Sequence, residues 1–165
     1  MAGRAAAFEK RLDGIVVFGG PFDMRDSAFE KIPKLGKWFY HHRWIRLFNI
    51  LAHLKIKQDI MTRWGLSNGL WTIGGENPFD FFNGIAEYSL KLVANRILCD
   101  VLVISGQLDI YASPQQDALY QKSITHAKSF TYMRFKDEEG SAEHCQAGAV
   151  DQAMQVFFCW LIEKF

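Results

Sequence analysis

The amino-acid sequence predicts an α/β fold, a doubly wound and mostly parallel sheet with a helical insertion. Three observations predict it. The short runs Ile15-Val16-Val17-Phe18 and Val101-Leu102-Val103-Ile104-Ser105 are continuously apolar and rich in β-branched residues, the texture of strands buried on both faces. They alternate with segments in which apolar residues recur every three or four positions, as helices covering such a sheet require. Between them lies an aromatic-rich stretch of about sixty residues with helical spacing throughout.

In chain order, residues 4–12, RAAAFEKRL, combine strong helix formers with Phe8 and Leu12 one turn apart, which predicts a helix leading into the first strand. Gly19-Gly20-Pro21 ends that strand, because glycine permits a tight turn and proline cannot donate to a sheet ladder. From Ala28 to Val93 the residues Trp38, Phe39, Trp44, Ile45, Phe48, Leu51 and Leu54 follow helical intervals with basic residues between them. Asn77-Pro78 opens a further helical pattern through Phe81, Ile85, Tyr88 and Leu92, with asparagine as cap and proline in the first turn. Gly106 ends the strand 101–105, Pro114 opens a helix through Tyr120, and a strand follows at Ser129 to Phe135. Ala147 to Phe165 place Val150, Met154, Phe157, Phe158, Leu161 and Ile162 on one helix. The expected parts are 1–24, a core helix and strand; 25–95, a helical lid or cap insertion; and 96–165, a C-terminal core. Three strands alone leave long apolar edges, so the chain reads as one incomplete domain of a larger doubly wound fold.

The 165 residues are 49% hydrophobic and 15% aromatic with a formal charge of +1. That excludes a disordered charged tail and gives no electrostatic footprint for nucleic acid or an anionic membrane. No run reaches the roughly 18–20 apolar residues of a membrane span, and residues 1–7 lack the apolar centre of a signal peptide. Cys99, Cys145 and Cys159 have neither disulfide-framework nor zinc spacing. The expectation is a soluble, cytoplasmic protein with a small-molecule partner, no nucleic acid or membrane partner, no metal and no organic cofactor.

Chemistry is expected in the loops after the strands, because ligands of open α/β sheets collect outside the strands' carboxyl ends. Asp109 follows the strand 101–105 in Gly106-Gln107-Leu108-Asp109, and His144 follows the strand 129–135 in Gly140-Ser141-Ala142-Glu143-His144-Cys145. Spacing alone leaves Asp109 open to reading as a helix cap or loop acid, and His144 as a capping or surface residue. Together they fit a pair in which the carboxylate fixes the imidazole tautomer and the histidine carries protons.

These segments, with the terminal amphipathic helix, resemble the C-terminal portion of an α/β-hydrolase. Arg63-Trp64, Asn68-Gly69-Leu70-Trp71 and Glu138-Glu139-Gly140-Ser141-Ala142-Glu143-His144-Cys145 further resemble a lidded group. That group contains fungal chain-shortening hydrolases of pigment polyketides and bacterial 2,6-dihydroxypseudooxynicotine hydrolase, which cleave carbon–carbon bonds beside ketones. The resemblance implies Asp109 as triad acid, His144 as general base and a lid closing over an apolar substrate. It places the chain in secondary metabolism and is compatible with a homodimer of a longer parent.

A nucleophile is the element that does not fall into place. The superfamily carries serine on a strained strand-to-helix turn, G-x-S-x-G, with chain order Ser, Asp, His. Gly65-Leu66-Ser67-Asn68-Gly69 matches in letters and order, but Asp59 to Trp64 before it is no buried strand. The interval from Ser67 to Val101 is also too short for the intervening helix, strand and helix. Residues 4–12 read instead as the helix after an elbow, which puts the serine and an oxyanion-hole loop upstream of Met1. Whether this chain is itself an enzyme stays open at this point.

Weaker signals have plainer readings. Cys145 beside His144 suggests a thiol nucleophile, but adjacent residues usually project apart, and it reads instead as packing the last helix. His41, His42 and His53 lack a ligand set, and Arg43, Arg46, Lys55 and Lys57 read as a solvated face. Trp64 and Trp71 are candidate substrate contacts that could equally pack the lid. Asp23, after the first strand, is a candidate substrate contact or a helix N-cap. The resulting expectation is a hydrolase acting on an ester or carbon–carbon bond beside a carbonyl of a small apolar or polyketide-like substrate through Ser, His and Asp. The alternative is a non-catalytic hydrolase-like protein that binds a ligand or partner.

Overall fold

In a computed structural model that describes residues 1–165, the element order is α1 (Ala2–Ala6), β1 (Gly14–Phe18), α2 (Met24–Glu30), α3 (Lys34–His41), α4 (Ile45–Gln58), α5 (Ile60–Ile73), α6 (Pro78–Ile85), β2 (Asp100–Gly106), α7 (Pro114–Ser123), β3 (Ser129–Phe135) and α8 (Val150–Lys164). The chain divides into two compact units, Met1–Asp23 with Tyr88–Phe165, and Met24–Glu87. No helix is long and apolar enough to cross a membrane.

The first unit is built on a three-stranded parallel sheet in the order β1-β2-β3. Every residue of β2 is buried, as its unbroken apolar run requires of a central strand. Its side chains alternate between two cores. Val101 and Val103 pack with Ile15, Val17, Ala6, Ala7, Leu90, Ile97 and Tyr120. Leu102 and Ile104 face the opposite way, into a cluster with Phe135, Ala153 and Trp160. The sheet is therefore covered on both faces, by α1 and α7 on one side and by α8 on the other.

At the start of β2, Asp100 anchors the neighbouring strand. Its carboxylate accepts from Ser129 Oγ at 2.6 Å and from Lys128 Nζ at 2.9 Å while the residue is only 1% exposed. These partners, Ser129 first, hold its pKa below the ordinary carboxylate value.

The second unit is wholly helical, α2 to α6, around Phe29, Tyr40, Phe48, Leu66, Phe79, Phe82 and Ile85. Asn77 caps α6 by accepting from the backbone N–H groups of Phe79 and Asp80, and Asp80 returns to the Asn77 N–H. The sequence predicts this start from Asn77-Pro78.

Some boundaries differ from expectation, each for a local reason. The first helix spans Ala2–Ala6 rather than 4–12, because Glu9 closes on Arg11 through its backbone N–H and its guanidinium and so turns the chain out of the helix. The α6 pattern does not continue to Leu92. Tyr88 and Leu92 lie beyond the helix, Leu92 is 88% exposed, and Leu90, Val93, Ala94 and Ile97 are buried with the sheet. The last helix begins at Val150, after a loop in which Cys145, Gln146 and Gly148 adopt positive φ.

Candidate active site

Loops following all three strands converge at one end of the sheet, and two glycines permit the approach. Gly106 ends β2, and a Cβ there would lie 2.0 Å from the Ala142 carbonyl oxygen, so only glycine lets the loop after β3 cross at this point. The Leu108 N–H donates to that same oxygen at 2.9 Å, tying the two loops together. Gly19, after β1, has φ +61°, and a Cβ would lie 3.0 Å from Cys145 Sγ and 3.1 Å from the His144 ring.

The structure brings Asp109 and His144 together. His144 Nδ1 lies 3.0 Å from both carboxylate oxygens of Asp109, whose side chain is fully buried. Asp109 Oδ1 also accepts from the backbone N–H groups of Tyr111, at 2.7 Å, and Ala112, at 2.9 Å. An acceptor-only carboxylate requires the imidazole proton on Nδ1, which leaves Nε2 as the free base. The Tyr111 ring packs edge-on against His144 at 4.7 Å and fixes the ring plane.

Nε2 has a partner that adjacency in sequence argues against. Cys145 Sγ lies 3.4 Å from His144 Nε2 and 3.8 Å from the Phe18 carbonyl oxygen. The reason is backbone conformation: Cys145 takes φ +52° and Gln146 φ +49°, the left-handed region where a non-glycine residue is uncommon. That turn folds the thiol back onto the preceding ring, against the expectation that these adjacent side chains project apart. Burial, and then the charge of Asp109, push the Cys145 thiol pKa up.

A second carboxylate near the end of β2 is not singled out by sequence reasoning. Asp117, in the first turn of α7, is 2% exposed, and its Oδ2 accepts from Ser105 Oγ at 2.8 Å, Tyr132 OH at 2.8 Å and Arg134 Nη1 at 2.9 Å. Burial raises its pKa against these hydrogen bonds. The cluster locks α7 to β2 and β3 beneath the Asp109 loop. It depends on the β2-β3 register that sets Ser105 opposite Arg134, which the sequence does not signal.

Other candidates lie as follows. Asp23 is buried just after β1, with Lys91 Nζ 3.4 Å from its carboxylate and its backbone N–H donating to Gln116 Oε1. Trp64 and Trp71 stand on α5, 58% and 84% exposed. Ser67 lies inside α5, so Gly65–Gly69 is helix interior rather than a strand-to-helix elbow. His42 and His53 each place Nδ1 on the carbonyl four residues earlier, Trp38 and Asn49. No group of three or more His, Cys, Asp or Glu side chains is arranged to hold a metal ion.

Among solved structures, AbyA5 matches 99% of this chain with a TM-score of 0.59 at 18% identity. That likeness is one of fold, a parallel sheet with helices on both faces. The chain covers 39% of the length of AbyA5. A protein described as a non-heme bromoperoxidase, BpoC from Mycobacterium tuberculosis H37Rv, matches 95% of the chain at 16% identity, with 62% of its own length covered and a TM-score of 0.45. Comparison with protein-family models and with curated proteins finds no match.

Proposed function

We propose that this α/β-hydrolase-like chain supplies the acid and base of a serine-type hydrolase site acting on a carbonyl, an ester or a carbon–carbon bond beside a ketone. One observation carries the reading: a half-exposed imidazole held through Nδ1 by a buried carboxylate, with Nε2 left to move protons. In the reaction, Nε2 of His144 takes the proton from an attacking hydroxyl and returns it to the leaving group. Asp109 holds the tautomer and stabilises the imidazolium. The serine belongs outside these 165 residues, in keeping with Ser67 standing in mid-helix. The same proposal assigns Asp23, on the sheet unit that carries the pair, to contact with a small apolar or polyketide-like substrate.

The test is hydrolysis of p-nitrophenyl esters, and fluorophosphonate labelling, by a protein that carries a G-x-S-x-G segment ahead of residue 1. Activity falls at least about a hundredfold in His144→Ala and in Asp109→Asn. Full activity in His144→Ala overturns the assignment.

A further inference from the structure

We propose that Cys145 is a nucleophile in its own right, served by the Asp109–His144 pair and accepting acyl groups from activated esters or thioesters. It goes beyond the serine reading, because every group it uses lies within the chain.

Three features of the geometry carry it. The thiol sits on the one free nitrogen of the imidazole, Sγ to Nε2 being 3.4 Å, within reach of a sulfur hydrogen bond. The opposite nitrogen is held by a buried carboxylate, so the order Asp109, His144, Cys145 is orienter, base and nucleophile. The arrangement is held by a costly backbone: the left-handed Cys145 and Gln146 aim Sγ at the ring, and Gly19 leaves the room for both side chains. Cys145 is only partly buried.

The step balances without an oxidant or metal. Nε2 of His144 takes the thiol proton as Sγ attacks the acyl carbonyl carbon. A carbon–sulfur bond forms, the bond from that carbon to the leaving oxygen or sulfur breaks, and the proton on Nε2 passes to the departing alkoxide or thiolate. The products are S-acyl Cys145 and a free alcohol or thiol. Proton removal by His144 is what makes the step feasible, because burial and the Asp109 charge disfavour a standing thiolate.

The experiment uses the 165-residue chain and p-nitrophenyl acetate near pH 7, with acetylation read at each cysteine by peptide mass mapping. Cys159 is exposed and serves as the reference within the same molecule. Cys145 is expected to acetylate about tenfold or more faster than Cys159, and that advantage disappears in His144→Gln and in Asp109→Asn while the Cys159 rate stays constant. Acetylation of Cys145 no faster than of Cys159 in the wild-type chain overturns the proposal, and that comparison needs no variant to fold. An advantage that survives both substitutions in folded variants overturns it as well. The serine reading is separable, because fluorophosphonate labelling and ester hydrolysis by the serine-bearing protein report on it whatever Cys145 does.

Discussion

Replacing Gly106 with alanine tests the convergence of loops on which the site depends. The new Cβ would stand 2.0 Å from the Ala142 carbonyl oxygen, 2.6 Å from its carbon and 2.8 Å from the Glu143 oxygen, all backbone atoms. To restore ordinary contact the carbonyl must retreat by about 1.4 Å. That breaks its hydrogen bond from the Leu108 N–H, worth about 1 kcal/mol net. The loop has little room to yield, since Ala142 is 2% exposed and Ser141 is tied to Gln152 at 2.7 Å. Overpacking of this kind costs about 1–3 kcal/mol, giving a total of about 2–4 kcal/mol. Urea unfolding followed by circular dichroism is the assay, and with a slope of about 2 kcal/mol/M the midpoint falls by about 1–2 M. Displacing the loop that carries His144 by about 1 Å also costs about a hundredfold in any reaction that uses the pair. The control is Gly65→Ala in α5, where a Cβ meets nothing within 4 Å and helix propensity alone adds about 0.5–1 kcal/mol. An unchanged midpoint in Gly106→Ala refutes the argument that glycine is required at this crossing.

Asn77→Ala removes the cap of α6 and lowers stability by about 1–2 kcal/mol, read by denaturant unfolding. A variant within error of wild type shows that the cap contributes nothing. Asp100→Asn changes the acid limb of stability. The wild-type carboxylate has its pKa lowered by Ser129 and Lys128, so its contribution is present above the unfolded carboxylate pKa and lost as pH falls through the folded pKa. The variant is therefore less stable than wild type near neutrality, and the gap closes on acidification; urea unfolding across pH checks this, and a gap that is constant with pH contradicts it.

The strands were legible because their signal is dense: β3 starts and ends at Ser129 and Phe135 as expected, and β1 and β2 differ by a residue or so at their ends. The α6 start was legible because asparagine followed by proline carries its own mechanism. The first helix is shorter than its propensity predicts because the Glu9 to Arg11 clasp is a local competitor that propensity does not contain. Strand-end position was enough to single out Asp109 and His144, whereas their 3.0 Å separation depends on Gly106 admitting a foreign carbonyl, a tertiary fact. The contact between Cys145 and His144 is hidden in the sequence for a related reason, because the rule that neighbours project apart assumes an ordinary φ and this residue has +52°. The cluster around Asp117 joins β2, α7 and β3, and no single segment betrays it.

The central claim is that Asp109 fixes His144 with its proton on Nδ1 and Nε2 free as a base. Nitrogen-15 NMR of the histidine rings, with His144 assigned through His144→Gln, measures this directly. The account predicts the Nδ1–H tautomer for the neutral ring, with that preference lost in Asp109→Asn. A wild-type His144 protonated on Nε2, or a tautomer indifferent to Asp109, would contradict it.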